Sequence, residues 1–181
     1  MRRIASFFCA CACLSGLYSC DKMSIPDLSE DVPFTVTTPD GNTTVIAKAD
    51  DGADSGAQTA VYFVNTHFYE ETDTPGCMSF YASTRGKKSD DFFMLSLTLK
   101  KESLAKGVEA EAERVIFCRP FSSYSGHYTD SYTGHIYLKE RSTDQVTLRF
   151  DKVFFEISSG TYFLNGDLTY YPAPELNETT F

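Results

Sequence analysis

Polar side chains able to do chemistry gather in one stretch of this 181-residue chain, RPFSSYSGHYTDSYTG, residues 119–134. Ser125, His127 and Asp130 are the residue types of a hydrolytic triad. That chemistry needs a nucleophile on a strained turn such as G-x-S-x-G, and the chain has no such motif. His127, Asp130 and His135 offer metal-ligating atoms without a recognised ligand spacing. Asp50, Asp51 and Asp54 sit in a glycine-containing loop but do not follow the D-x-[DN]-x-[DN]-G calcium pattern. The residues therefore point to no catalytic group, no metal and no cofactor, and the chain reads as a non-enzyme. What the stretch does hold is Tyr124, His127, Tyr128 and Tyr132 among serines, threonines and glycines. Amphipathic rings on an adaptable Ser/Gly backbone are the composition of a binding surface. Arg119 at its base adds a forked donor suited to a carboxylate or a pair of sugar hydroxyls. His67 lies inside an apolar run and reads as a satisfied strand histidine.

A second chemical feature lies at the start. Arg2 and Arg3 precede the apolar run FFCACACLSGLYSC, residues 7–20. This has the n-region, h-region and cleavage site of an export signal. A membrane-spanning helix needs about 20 apolar residues, and this run is shorter and broken by Ser15 and Gly16. Its last four residues, Leu17 to Cys20, resemble a bacterial lipobox. The resemblance implies cleavage before Cys20, a diacylglyceryl thioether on its sulfur, and an acylated amine. Two or three acyl chains on one residue make a stable anchor where a single chain does not. The partner so implied is a membrane, and the location is the cell envelope. Outer-membrane attachment is expected, facing either the periplasm or the surface, although Asp21 resembles an inner-membrane retention signal in one bacterial convention and the charged pair Asp21-Lys22 a surface-export signal in another.

Processing at that site changes the remaining accounts. Residues 1–19 take with them Arg2, Arg3 and no acidic residue, moving the net charge from −9 to −11. Such a chain gains nothing electrostatically from nucleic acid, which is excluded as a partner. Of six cysteines, Cys9, Cys11 and Cys13 leave with the signal and Cys20 carries lipid. Cys77 and Cys118 remain, either as a disulfide or as buried free thiols.

These groups must be positioned by strands. Residues 20–32 are acidic, contain prolines and read as a flexible tether. From Phe34 the apolar period is two. Phe34 and Val36 lead into the turn Thr38-Pro39-Asp40-Gly41-Asn42, and Val45, Ala47 and Ala49 share a face beyond it. Residues 59–70 are apolar on both faces, as in a covered central strand. Met78, Phe80 and Ala82 share one face, as do Phe93, Leu95, Leu97 and Leu99. Residues 100–107 allow one helical turn ending at Gly107, and Ile136 and Leu138 point inward from the next strand. In Val146–Phe150 the even positions are apolar, whereas from Val153 to Ile157 they are odd. The parity change predicts a β-bulge at Asp151–Lys152. Tyr162, Leu164, Leu168 and Tyr170 keep one parity through Asn165-Gly166, which predicts a single long strand kinked at Gly166 rather than a hairpin.

The count gives an all-β fold, an antiparallel β-sandwich or small partly closed barrel of about eight to ten strands. The domain runs over 33–174 and is followed by a tail, 175–181. The segment 134–171, with its V-x-L-x-F and V-x-F strands and closing Y-x-L-N-G-x-L-x-Y, resembles small β-rich envelope lipoproteins of Gram-negative gut-type bacteria. The resemblance implies a fold and brings no activity with it. The function expected is a membrane-anchored binding module for a glycan or an envelope protein. The alternative is a structural or assembly subunit of a surface structure that uses strand-edge pairing.

Overall fold

The structure, a computed structural model, describes residues 25–46, 61–85, 93–119 and 128–174, excepting the side chains of Tyr62 and Tyr128. Ten strands follow in chain order: β1 (Thr35–Thr37), β2 (Thr43–Val45), β3 (Tyr62–Glu70), β4 (Cys77–Arg85), β5 (Met94–Lys100), β6 (Ala112–Cys118), β7 (Tyr128–Thr129), β8 (Thr133–Arg141), β9 (Val146–Ile157) and β10 (Gly160–Pro172). The helical turn expected near residues 100–107 is a short 3-10 turn at Lys101–Ser103, and Gly107 follows at φ 77°.

Two curved layers face each other. One runs β2-β1-β10-β9-β8, and the other runs β3-β4-β5-β6-β7. Among the described strands every ladder is antiparallel except one: the end of β10 meets β3 in parallel, Tyr171 opposite His67 and Pro172 opposite Phe68, and this joins the layers. On the far side, residues after the 3-10 turn bond to the free edge of β8, with Ala110 N–H donating to Ile136 O at 2.7 Å. The result is a sandwich curled into a partly closed barrel, which also covers the β8 edge.

The period-two reading holds through the core. Met78, Phe80 and Ala82 face inward with Leu95, Leu97 and Leu99, and all are buried. Removing each such leucine or phenylalanine from water contributes about 1.5–3 kcal/mol. The layers are tied by rings: Phe117 stacks on Phe155 at 4.6 Å, and Phe34 packs against Phe63 of β3 at 5.5 Å. Tyr170 is fully buried, 5.2 Å from Phe80.

The bulge falls where the parity change places it. Leu164 pairs with Val153 and Gly166 with Phe150, so Asp151 and Lys152 together oppose Asn165. Lys152 takes the left-handed φ of 52°. On the other side of β9 the bulge pushes a carbonyl against Gly134. A Cβ there would lie 2.0 Å from Lys152 O, so only glycine fits. β10 is one strand of 13 residues through Gly166 (φ 110°), as expected.

Three expectations are corrected. Val45 is exposed while Ile46 is buried, so β2 presents the opposite parity. β3 is not a covered central strand. It pairs along its length only with β4, and Val64 and Tyr69 are exposed. Its second apolar face serves a sheet edge rather than a second layer. The tether is also shorter than 20–32, because residues 27–32 are bonded to the outer face of β8–β10. Arg149 donates to the carbonyls of Asp27 (3.1 Å) and Glu30 (2.6 Å), and Lys139 donates to Glu30 O (2.8 Å) and to Asp31 Oδ1 (2.5 Å). Asp167 ties the two cations together, accepting from Lys139 (2.7 Å), from Arg149 and from Val32 N–H (2.9 Å). Burial alone would raise the Asp167 carboxyl, but the hydrogen bonds from Arg149 and Lys139 outweigh it and hold it below the usual range. These charges, 8% and 5% exposed for Lys139 and Arg149, are fully paired and hold the entering chain on the sheet.

Candidate functional site

The strand pattern leaves one end of the barrel concave. Two hairpin turns meet there. The β1–β2 turn is closed by Gly41 N–H donating to Thr38 O and Thr38 N–H to Asn42 O, both at 2.9 Å. The β9–β10 turn packs on it so closely that a Cβ on Gly160 would come within 2.6 Å of Pro39. β3 and β5 start at this end and β6 finishes there. Between them lies a cavity of about 590 Å³, within the usual range for small-ligand sites. Its apolar lining includes Val36, Ile46, Val61, Phe93 and Phe117, and its polar lining includes Thr38, Asp40, Asn42, Thr44, Ser159, Tyr162 and Arg119.

Among the described residues, Arg119 is the member of the sequence-derived binding set that lines this cavity. It follows the last residue of β6, so the strand aims it and packing fixes it. Its Nη1 donates to the Tyr162 hydroxyl at 3.1 Å, and its guanidinium lies 5.0 Å from the Tyr162 ring centroid. The same hydroxyl is 3.2 Å from Ser159 Oγ, which makes a chain from β6 to the β9–β10 turn. Among the described residues no carboxylate forms an ion pair with Arg119. Asp40 lines the same cavity, but its oxygens serve the turn: Thr38 Oγ1 donates to Oδ1, and Asn42 Nδ2 donates to Oδ2 at 2.5 Å. Hydrogen bonds from Thr38 and from the Asn42 backbone hold that carboxyl below its usual value, so Asp40 is an anion.

Cys20, Tyr124 and His127 lie outside the described residues, as do Ser125, Asp50, Asp51 and Asp54. Tyr128 pairs through its backbone with Cys118, and its side chain is outside the description. Tyr132 is corrected from a free loop ring to a half-buried one that packs against the core, 6.0 Å from Phe155. Burial, and next Glu109, pushes its phenol above the ordinary value. His67 is half-buried and stacks on Tyr81 at 5.0 Å, and burial lowers its pKa. His135 contacts Glu109 at 2.8 Å instead of Asp130, and among the described residues no group of three metal-ligating side chains gathers.

Cys77 and Cys118 are free thiols, Cys77 buried and Cys118 partly buried. Cys77 pairs with Lys100 at one end of β5 and Cys118 with Met94 at the other. Six residues of extended chain, about 20 Å, therefore separate them along β5, far beyond the roughly 7 Å limit of a bridge.

Sequence reasoning did not find Tyr162, Ser159 or the Thr38–Asn42 turn as site residues. Each reads locally as core or turn, and only the docking of two hairpins distant in sequence makes them a lining. Comparison with family models, curated proteins and solved structures finds no match to the chain.

Proposed function

We propose that this chain is a lipid-anchored envelope protein whose β-domain is a binding module, and that its ligand enters the cavity at the Arg119 end of the barrel. The observation that carries the reading is the composition of that cavity: an apolar floor, a ring of hydroxyl and amide groups, and one cation that no described carboxylate neutralises. Convergent polar groups over apolar walls orient a small ligand or the end of a larger one. The anchor rests on the resemblance of Leu17–Cys20 to a lipobox. The acidity of the chain favours neutral or locally compensated partners over nucleic acid.

Two experiments test the two halves. Cys20→Ala should release the protein from the membrane fraction and abolish labelling by a palmitate analogue, and unchanged membrane partition would remove the anchor from the proposal. For the cavity, the domain without residues 1–19 is screened against glycans and small polar ligands by thermal shift. Thr44→Trp, which fills the cavity from edge strand β2, should abolish the shifts seen with wild type. Hits that survive this substitution would move the site elsewhere. A second reading, assembly by strand-edge pairing, draws on β2, which among the described residues has no neighbour beyond it and exposes Val45. Ordered, concentration-dependent oligomers of the domain would favour it.

A further inference from the structure

We infer that the ligand of this cavity is an acidic sugar, a saccharide carrying a carboxylate. The inference rests on the cavity being the binding site and adds the chemistry of its occupant. Arg119 offers five N–H donors in a planar fork. Among the described residues its only side-chain hydrogen bond goes to the Tyr162 hydroxyl, from Nη1 at 3.1 Å. Tyr162 holds the guanidinium at both its hydroxyl and its ring face, so the fork is oriented before a ligand arrives. A pre-oriented guanidinium with no carboxylate partner among the described residues matches a carboxylate.

The rest of the lining separates an acidic sugar from a plain organic acid. Asp40 brings a negative charge into the same cavity. It disfavours a second anionic group and accepts hydrogen bonds from hydroxyls. Its Oδ2 takes one bond from Asn42 and keeps acceptor capacity. Thr44 adds a hydroxyl that both donates and accepts, Thr38, whose proton goes to Asp40, adds an acceptor, and Ser159 shares its hydroxyl with Tyr162. The floor is apolar, with Phe93 and Phe117 buried in the core beneath it rather than presented as a stacking face. One carboxylate and several hydroxyls describe a hexuronate.

The test uses D-glucuronate, D-galacturonate, D-glucose and hexanoate as probes, titrated into the domain from residue 20 onward and followed by calorimetry and by ligand-observed NMR. The better uronate should bind about 10–100-fold tighter than glucose, the ratio expected for one charge-assisted forked pair. Hexanoate should bind more weakly than that uronate. Arg119→Gln should collapse the uronate-to-glucose ratio to about 1, while Arg119→Lys should recover only part of it because it keeps the charge and loses the fork. Tyr162→Phe keeps the ring and removes the hydroxyl, and should reduce the ratio several-fold. Each variant's melting curve separates a lost contact from a lost fold. Glucose binding as tightly as either uronate, or a ratio unmoved by Arg119→Gln in a folded variant, overturns the acidic-sugar assignment and leaves the cavity reading standing. Tighter binding of hexanoate replaces the sugar with an acyl carboxylate. Thr44→Trp that still binds uronate with the wild-type ratio overturns both the assignment and the cavity.

Discussion

Replacing Tyr170 by phenylalanine should make this protein more stable. Tyr170 is completely buried, and among the described residues its hydroxyl has no hydrogen-bond partner. A buried hydroxyl left unbonded costs about 1–3 kcal/mol relative to water. Deleting the oxygen opens a void of about one water-sized probe, ~12 Å³, which at about 24 cal/mol per Å³ gives back ~0.3 kcal/mol. The edge-on contact with Phe80 at 5.2 Å survives, since the ring is unchanged. The net gain is about 1–2.5 kcal/mol, or a rise in Tm of about 3–8 °C for a domain of this size. The alkaline limb gives an independent check. Burial pushes the phenol far above its ordinary value of 10.0. Above that pH the unfolded chain releases the proton and the folded chain keeps it, so the wild type loses up to about 1.4 kcal/mol per pH unit on this account. The variant lacks this loss, so its advantage should widen between about pH 9 and pH 11. Urea unfolding at several pH values, followed by circular dichroism, measures both effects. A variant less stable than wild type at pH 7, or an advantage that does not grow with pH, refutes the reasoning.

Asp167→Asn should destabilise by about 3–5 kcal/mol, because Arg149 and Lys139 stay buried with their shared carboxylate gone. Hydrogen bonds hold the folded Asp167 carboxyl below its ordinary value against burial, so its contribution is present above about pH 4 and is lost as pH falls through the folded value. The asparagine variant should therefore show a shallower acid-side decline in denaturant titrations. Gly166→Ala should cost at least about 2 kcal/mol, because its Cβ would lie 2.2 Å from Pro33 O at a left-handed φ, and a melting temperature within a degree of wild type would contradict the fit described. Alkylation without reductant should label both Cys77 and Cys118 in denaturant. In the native protein Cys77 should be protected and Cys118 slow, since burial pushes its thiol up.

What was readable in the sequence was whatever depends on near neighbours. Alternation placed Leu95, Leu97 and Leu99 inside, and a parity change between Phe150 and Val153 located the bulge. Both follow from the fixed period of a strand. Long-range pairing was not readable. Lys139, Arg149 and Asp167 each look like ordinary outward positions, and nothing nearby says that Asp27 to Val32 will cross over them. The parity of β2 failed because Val45 and Ile46 are both apolar, and only docking against β1 and the cavity decides which one turns in. Arg119 was singled out for its donor geometry, yet its partner Tyr162 is 43 residues away and reads simply as core. Tyr132 was misjudged because a tyrosine in a polar stretch carries no local mark of the Phe155 ring it will meet.

β10 is the seam of the molecule, and this sets the order in which the chain can be completed. β1, β9 and β3 all bond to it, and Thr35 bonds to Asn165 across 130 residues. Until that strand is available, β1 has only the three residues of β2 to pair with, and the two layers share no backbone hydrogen bond at the β3 edge. The early strands must wait for the late one, and pairings of such sequence separation belong to the slow end of the folding range, milliseconds to seconds. The half-made chain therefore stays open for longer than a protein built from local hairpins, with β3 and its aromatic residues awaiting cover. A truncation before Gly160 should remove more than a hairpin: it should leave a chain with no closed core, prone to aggregation rather than to partial folding.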